Sequence, residues 1–215
     1  MLDSSKMDLG EKSPEDAYSR ACLEFSRVNI EEQCFKSGAT YLGERPEGPC
    51  LSLLYLKQEC LIYWPRGEVI SANQEFKLSY LDKVIILDYL IQARGTPLTG
   101  QAVTYAQLPS GGFYFRAVEQ RTIPLLLKSF GNKPEHFLKA GEFFGAIRNS
   151  HGDVGITIQA FPWVPLYMAM WLGDDEFPAN MRIFYDASIK DYLDTYDVAM
   201  LTVSIVGKMI KFKQD

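Results

Sequence analysis

Histidine is nearly missing from this chain of 215 residues: there are two, His136 and His151. That scarcity removes His-rich metal centres and leaves little for Ser-His-Asp chemistry. Ser150, His151 and Asp153 share one short polar turn, too tight for nucleophile, base and orienter to line up. Cysteine is also sparse. Cys22, Cys34, Cys50 and Cys60 include no pair separated by only two or three residues. Iron–sulfur and zinc sites use such tight pairs because neighbouring ligands must converge on one ion, so neither site is expected. The four read instead as free thiols in a reducing compartment. Apolar runs stop at about ten residues, too short to span a bilayer, and residues 1–12 carry no apolar leader. A cytoplasmic protein with no membrane partner is the expectation. There is no excess of positive charge either. Lys and Arg number 22 against 27 Asp and Glu, for a net charge of −5. Nucleic-acid binding needs a basic face that releases counterions, so nucleic acid is not an expected partner. Nucleophile-elbow, dinucleotide-fingerprint and His-Glu-x-x-His patterns are all lacking.

What the chain does hold is a core. Hydrophobic residues make up 47%, and the 13 Phe, 12 Tyr and 3 Trp are a generous aromatic share. A length near 200 fits one domain that needs no disulfide or metal staple. The acidity is local. Asp174 to Asp197 contains seven acids and two bases and carries the whole net charge, while the remaining residues balance 20 acids with 20 bases.

Residues 1–12 read as a flexible tail and 13–215 as a single α+β domain. Ser13-Pro14-Glu15-Asp16 opens a helix, with Ser13 as cap, Pro14 at the first helical position and Asp16 completing a capping box. A short helix from Asn29 ends at Gly38, a left-handed stop. Residues 43–49 are rich in Gly and Pro and read as a loop. Cys50 to Leu56 and Cys60 to Trp64 form a hairpin, after which Pro65-Arg66-Gly67 turns the chain away. Ser79 and Asp82 make a capping box for a helix to about Arg94, apolar on most sides and therefore central. Val103 to Ala106 suggests a short strand. Helices follow from Phe113 to Phe130, kinked near Pro124, and from Pro134 to about Phe144. Alternation from Val154 to Ala160, then Leu166 to Leu172 and Met181 to Tyr185, predicts three strands. Ser188 to Asp191 caps a short helix. A last helix runs from about Tyr196 to Lys211, with Lys208 and Lys211 suiting its C-terminal dipole. Two strand clusters with helices between them predict a mainly antiparallel sheet packed with several helices.

Three features could carry chemistry. Asp174, Asp175 and Glu176 end an apolar strand, and Asp186 returns to the same end if the next strand pairs antiparallel. Four carboxylates would then offer a hard cation such as Mg²⁺, Mn²⁺ or Ca²⁺ enough oxygen. Trp163, Tyr167 and Trp171, with Met168 and Met170, make an aromatic hairpin that could face a flat cofactor, or simply fill the core. Gly111, Gly112 and Arg116 at a helix start could hold an anion, although Ser110-Gly111-Gly112 is also an ordinary turn.

The run Phe161-Pro162-x-x-Pro165-Leu166, Trp171-x-Gly173-Asp174-x-Glu176-Phe177-Pro178, then Phe184-x-Asp186-x-Ser188 and Tyr192-Leu193, resembles the prokaryotic family called domain of unknown function 3786. Asp88-Tyr89-Leu90, Gly95-x-Pro97-Leu98 and Gly100 resemble it too, and the likeness runs from about residue 14 to 207. The resemblance implies a bacterial or archaeal protein, commonly from an anaerobe. Some members carry an additional iron–sulfur segment resembling that of corrinoid proteins; this chain lacks those cysteines. The family supplies no catalytic residues to transfer.

Three functions are therefore weighed. The first, slightly preferred, is a non-catalytic binding or accessory protein of anaerobic cofactor metabolism, contacting a corrinoid or another tetrapyrrole. The second is a divalent-metal-dependent enzyme using Asp174, Asp175, Glu176 and Asp186. The third is an interaction module docking a basic partner on its acidic segment. The aromatic and Met content would equally suit a homodimer interface.

Overall fold

The computed structural model describes residues 13–131 and 133–212. The expected tail, residues 1–12, lies outside the described residues. Helix α1 (Pro14–Phe25) starts where Ser13 accepts the Asp16 amide at 3.2 Å, and it buries Ala21 and Phe25. Helix α2 (Ile30–Ser37) is capped by Asn29 and stops at Gly38, whose φ of +74° suits glycine. A side chain at Gly38 would also meet Pro162 at 2.9 Å, so the stop doubles as a close approach to the second half of the chain.

The first sheet is a four-stranded antiparallel meander, β1 (Thr40–Arg45), β2 (Gly48–Tyr55), β3 (Gln58–Tyr63) and β4 (Glu68–Ser71). Two of these strands correct the reading of the sequence. Residues 43–49 are not all loop: Gly43 sits beside a bulge in β1, Pro46 and Glu47 supply the turn, and pairing resumes at Gly48. Likewise Pro65 to Gly67 turns the chain back into the sheet as β4. Gly and Pro density marks a break in pattern without telling a bulge from a loop.

Helix α3 (Tyr80–Gln92) carries the full Ser79/Asp82 capping box and is central, as its apolar circumference requires. Strand β5 (Ala102–Val103) and a 3₁₀ turn at Tyr105–Gln107 precede helix α4 (Gly111–Phe130). That helix is continuous for 20 residues with Pro124 inside it. Helix α5 (Pro134–Phe143) follows, then β6 (Ile147–Asn149), β7 (Val154–Phe161), β8 (Val164–Trp171), β9 (Asn180–Asp186), a 3₁₀ turn at Ala187–Asp191, and helix α6 (Thr195–Lys211). The second sheet has the order β5-β9-β8-β7-β6 and is antiparallel throughout. The fold is α+β, with six α-helices and two sheets among the described residues.

Period-two alternation gives this second sheet two different faces. Ile156, Ile158, Leu166, Met168, Met170, Met181 and Tyr185 are buried on the inner one. There α4 packs on β9 and α5 on β7, while Tyr185 Oη and Thr202 Oγ1 of α6 share a hydrogen bond of 2.7 Å. A backbone hydrogen bond joins the two sheets. In the β2–β3 turn, Leu56 and Lys57 both have positive φ, at 50° and 67°. Leu56 is fully buried there and donates its amide to Ala160 O at 3.1 Å, within the bulge of β7. Around that stitch Phe161 stacks on Tyr89 at 4.1 Å and touches Tyr55 at 5.1 Å. Full burial of a ring such as Phe161 contributes about 3 kcal/mol, so this aromatic junction is a main fastening between the halves.

Candidate functional site

The outer face of the second sheet is unusual. An antiparallel sheet with one face in solvent ordinarily presents polar side chains there. Here the register Thr157–Tyr167–Phe184 sets two aromatic rings side by side, and Ala169–Arg182 and Trp171–Asn180 continue the row. Tyr167, Trp171 and Phe184 are all half-buried. The His151 ring lies 5.8 Å from Tyr167 and 6.0 Å from Phe184. Arg182 holds its guanidinium 5.9 Å from the Trp171 ring, within cation–π range. Burial, with a smaller contribution from Asp186, raises the Tyr167 phenol above its ordinary pKa. At the far end an open hollow of about 610 Å³ is lined by Trp171, Leu172, Phe177, Pro178, Asn180 and Arg182.

Trp163 does not belong to this row. It sits in the β7–β8 turn, 36% exposed and packed beside Gly38. Trp171 is at the other end of β8, about 26 Å away along an extended strand. The three aromatics expected to line one wall are thus two on a face and one at the opposite end.

The acidic cluster also comes apart. Strand β9 runs away from the loop that precedes it, with Asn180 opposite Trp171 and Tyr185 opposite Leu166. Asp186 is therefore about 20 Å from Asp174, Asp175 and Glu176, because an antiparallel partner delivers its last residue to the far end. The four-carboxylate cation site is corrected on that ground. Asp186 is 1% exposed and accepts the amides of Thr99 (3.0 Å), Gly100 (2.7 Å) and Ser188 (2.9 Å) and the Thr99 hydroxyl (2.9 Å). Burial pushes its pKa up, but the Thr99 and Ser188 bonds outweigh that and hold the carboxyl below its ordinary value. It pins the 99–101 loop. Asp174 turns onto its own loop and accepts the Phe177 and Glu176 amides at 2.7 and 2.9 Å, which lower its pKa. Asp175 and Glu176 remain exposed. Among the described residues, no group of three or more His, Cys, Asp or Glu side chains is placed to hold a metal ion.

Gly111 has a packing reason. A Cβ there would lie 2.0 Å from Tyr105 O, so only glycine lets α4 start against the 3₁₀ turn. The Gly111 amide donates to Leu108 O and the Phe113 amide to Ser110 O, so the chain itself satisfies part of this helix start. Gly112 and Arg116 are exposed. His136 is half-buried between the rings of Phe130 and Phe212. All four cysteines are free, and burial leads the causes that raise each thiol pKa, Cys60 to about 12.

Sequence reasoning missed the best-connected polar centre. Asp82, read as a cap, is fully buried. Besides the capping bonds from Ser79, it accepts Tyr55 Oη at 2.8 Å, Ser204 Oγ at 2.9 Å and Lys208 Nζ at 2.6 Å. Burial would raise its pKa, but the Lys208 charge, the Lys208 hydrogen bond and those from Ser79 hold it below the ordinary value. The one sequence hint was an acid inside an apolar helix; its partner lies 126 residues on. This centre ties β2, α3 and α6 together.

The fold defines an α+β protein built from two antiparallel meanders joined by an aromatic core. Residues 29–208 match the family model described as Domain of unknown function (DUF3786), and the chain belongs to that family. No curated protein and no solved structure matches it. Among the described residues no helix is long and apolar enough to cross a membrane.

Proposed function

We propose that this chain is a non-catalytic binding or accessory protein of the cytoplasm that takes a flat conjugated ligand, of the corrinoid or tetrapyrrole type, on the outer face of β7–β8–β9. One observation carries the reading: Tyr167, Phe184 and Trp171 share the outer face of the sheet as half-buried rings, with the fully buried Ala169 between Tyr167 and Trp171. Rings in such a row offer stacking surface to a planar ligand. His151 adds an imidazole above Tyr167 and Phe184, a nitrogen of the kind that ligates haem iron. Arg182 adds a cation suited to a carboxylate substituent. The open hollow beside Trp171 leaves the ligand edge in water, which suits a protein that receives a cofactor and passes it on.

Titration of the purified protein with cobalamin and with haem, read by absorbance and melting temperature, tests this. The expected result is a spectral change with at least one of them, weakened about tenfold or more in Tyr167→Ala/Trp171→Ala. His151→Ala is expected to remove the metal-centred spectral change while leaving part of the melting shift. No change in either readout for wild type overturns the proposal.

A second reading rests on the loop beside the hollow. Asp175 and Glu176 are exposed next to Phe177, which is 68% exposed. Two acids beside an uncovered aromatic suit docking to a basic protein surface, and such binding would weaken steeply with salt.

A further inference from the structure

The stretch from Asp174 to Asp197 holds seven acids and two bases, Arg182 and Lys190. Among the described residues, no carboxylate forms an ion pair with Arg182. The backbone supplies the reason. The acids at the ends of these strands are already engaged by amides. Asp174 accepts from Glu176 and Phe177, and Asp153 accepts the Leu172 amide at 2.9 Å. Asp186 is buried under Thr99, Gly100 and Ser188. Arg182 is exposed and rests against the Trp171 ring instead, its guanidinium carbon 5.9 Å from the ring centre. The register sets it opposite Ala169, between the Tyr167–Phe184 pair and the Trp171–Asn180 pair. It therefore stands between the aromatic rings and the hollow, which it also lines. Asn180, on the same wall, accepts the Met181 amide with Oδ1 at 2.8 Å, so its remaining polar group is an N–H donor.

We propose that Arg182 determines the specificity of the outer face: it selects planar ligands whose edge carries carboxylates over planar ligands whose edge is neutral. This rests on the ring-face reading given above and adds the ligand's charge to it. An indole face holds a guanidinium in place without neutralising it, and the planar fork keeps its N–H groups for a carboxylate that can take two of them at once. Exposed Asp175 and Glu176 on the adjoining loop set an upper limit. They repel a polyanion, so the match is a ligand with a few carboxylates and not a polyphosphate.

Haem and haem dimethyl ester share a ring and a metal and differ in the charge of their carboxyl groups, so titrating the full chain with each isolates the effect. Haem is expected to bind about tenfold or more tighter than the ester, the scale of a charge-assisted hydrogen bond. Arg182→Gln is expected to cut that preference to under about threefold while leaving the affinity for the ester and the melting temperature of the free protein little changed. Arg182→Lys keeps the charge without the fork and is expected to retain part of the preference. Trp171→Ala is expected to weaken both ligands. No binding of haem, its ester or cobalamin overturns the ring-face reading and this inference together. Equal binding of acid and ester, an undiminished preference in Arg182→Gln, or binding of cobalamin without haem overturns the inference alone.

Discussion

Asp82 and Asp88 stand on the same helix, six residues apart, and meet opposite fates. Asp82 is the more deeply buried, yet Lys208, Ser204, Tyr55 and Ser79 all donate to it, and it stays ionised. Asp88 is less buried, and burial first, then the charges of Asp197, Glu24 and Asp194, lift its carboxyl to about 8 against the pull of Arg20. Burial alone does not decide the charge of a carboxyl. The donors and charges that tertiary packing brings to it do.

The largest way to break the contrast is Lys208→Met. It strands the Asp82 charge among apolar neighbours and is expected to lower stability by about 3–5 kcal/mol, read by urea unfolding at pH 7. Asp82→Asn in the same background is expected to recover part of that loss, because no charge is then left unpaired. Asp186→Ala comes next. Removing the acceptor of three amides and a hydroxyl is expected to cost about 2–3 kcal/mol and to speed exchange at Thr99 and Gly100.

Asp88→Asn sharpens the contrast from the other side. It is expected to stabilise the protein by about 1–2 kcal/mol at pH 8.5 and to do nothing below pH 4, where Asp88 is neutral in both folded and unfolded chains. Asp82 runs the other way, since its lowered pKa gives stability that is present above about pH 4 and lost as the pH falls. The pH profile of unfolding separates the two: a neutral-pH penalty for Asp88→Asn would undo the account given of it. Smallest of all is Asp175→Asn in the exposed loop. It is expected to change stability by less than about 0.5 kcal/mol, and millimolar Mg²⁺ is expected to leave the melting temperature of wild type and variant alike.

Much of the fold was legible where local chemistry is self-sufficient. Ser13-Pro14, Asn29…Gly38 and Ser79…Asp82 mark helix ends with side chains that act within three residues or at one φ angle; all three ends stand, with the Ser13 start keeping only the Asp16 amide bond of its expected capping box. Alternation from Val154 to Ala160 and Met181 to Tyr185 gave β7 and β9 because one face of that sheet is buried continuously. The edge strands β1, β4 and β6 were illegible: β1 is broken by a bulge, β4 buries only Val69 fully, β6 is three residues long, and all are held by backbone bonds any side chain permits. The aromatic hairpin was seen as a composition, but which rings share a face depended on the end of β8 each occupies. The acidic segment was seen as a charge; its division into a self-capped loop and a distant buried pin followed only from the direction of β9.

The chain by itself determined its helix caps, its central apolar helix and an α+β pattern, because those signals act over a few residues. Tertiary structure alone decided which carboxylates are neutralised, pinned or left to hold a proton. That outcome depends on donors brought from as far as Lys208 to Asp82, and solvation and Coulomb forces respond to distance in space rather than along the chain.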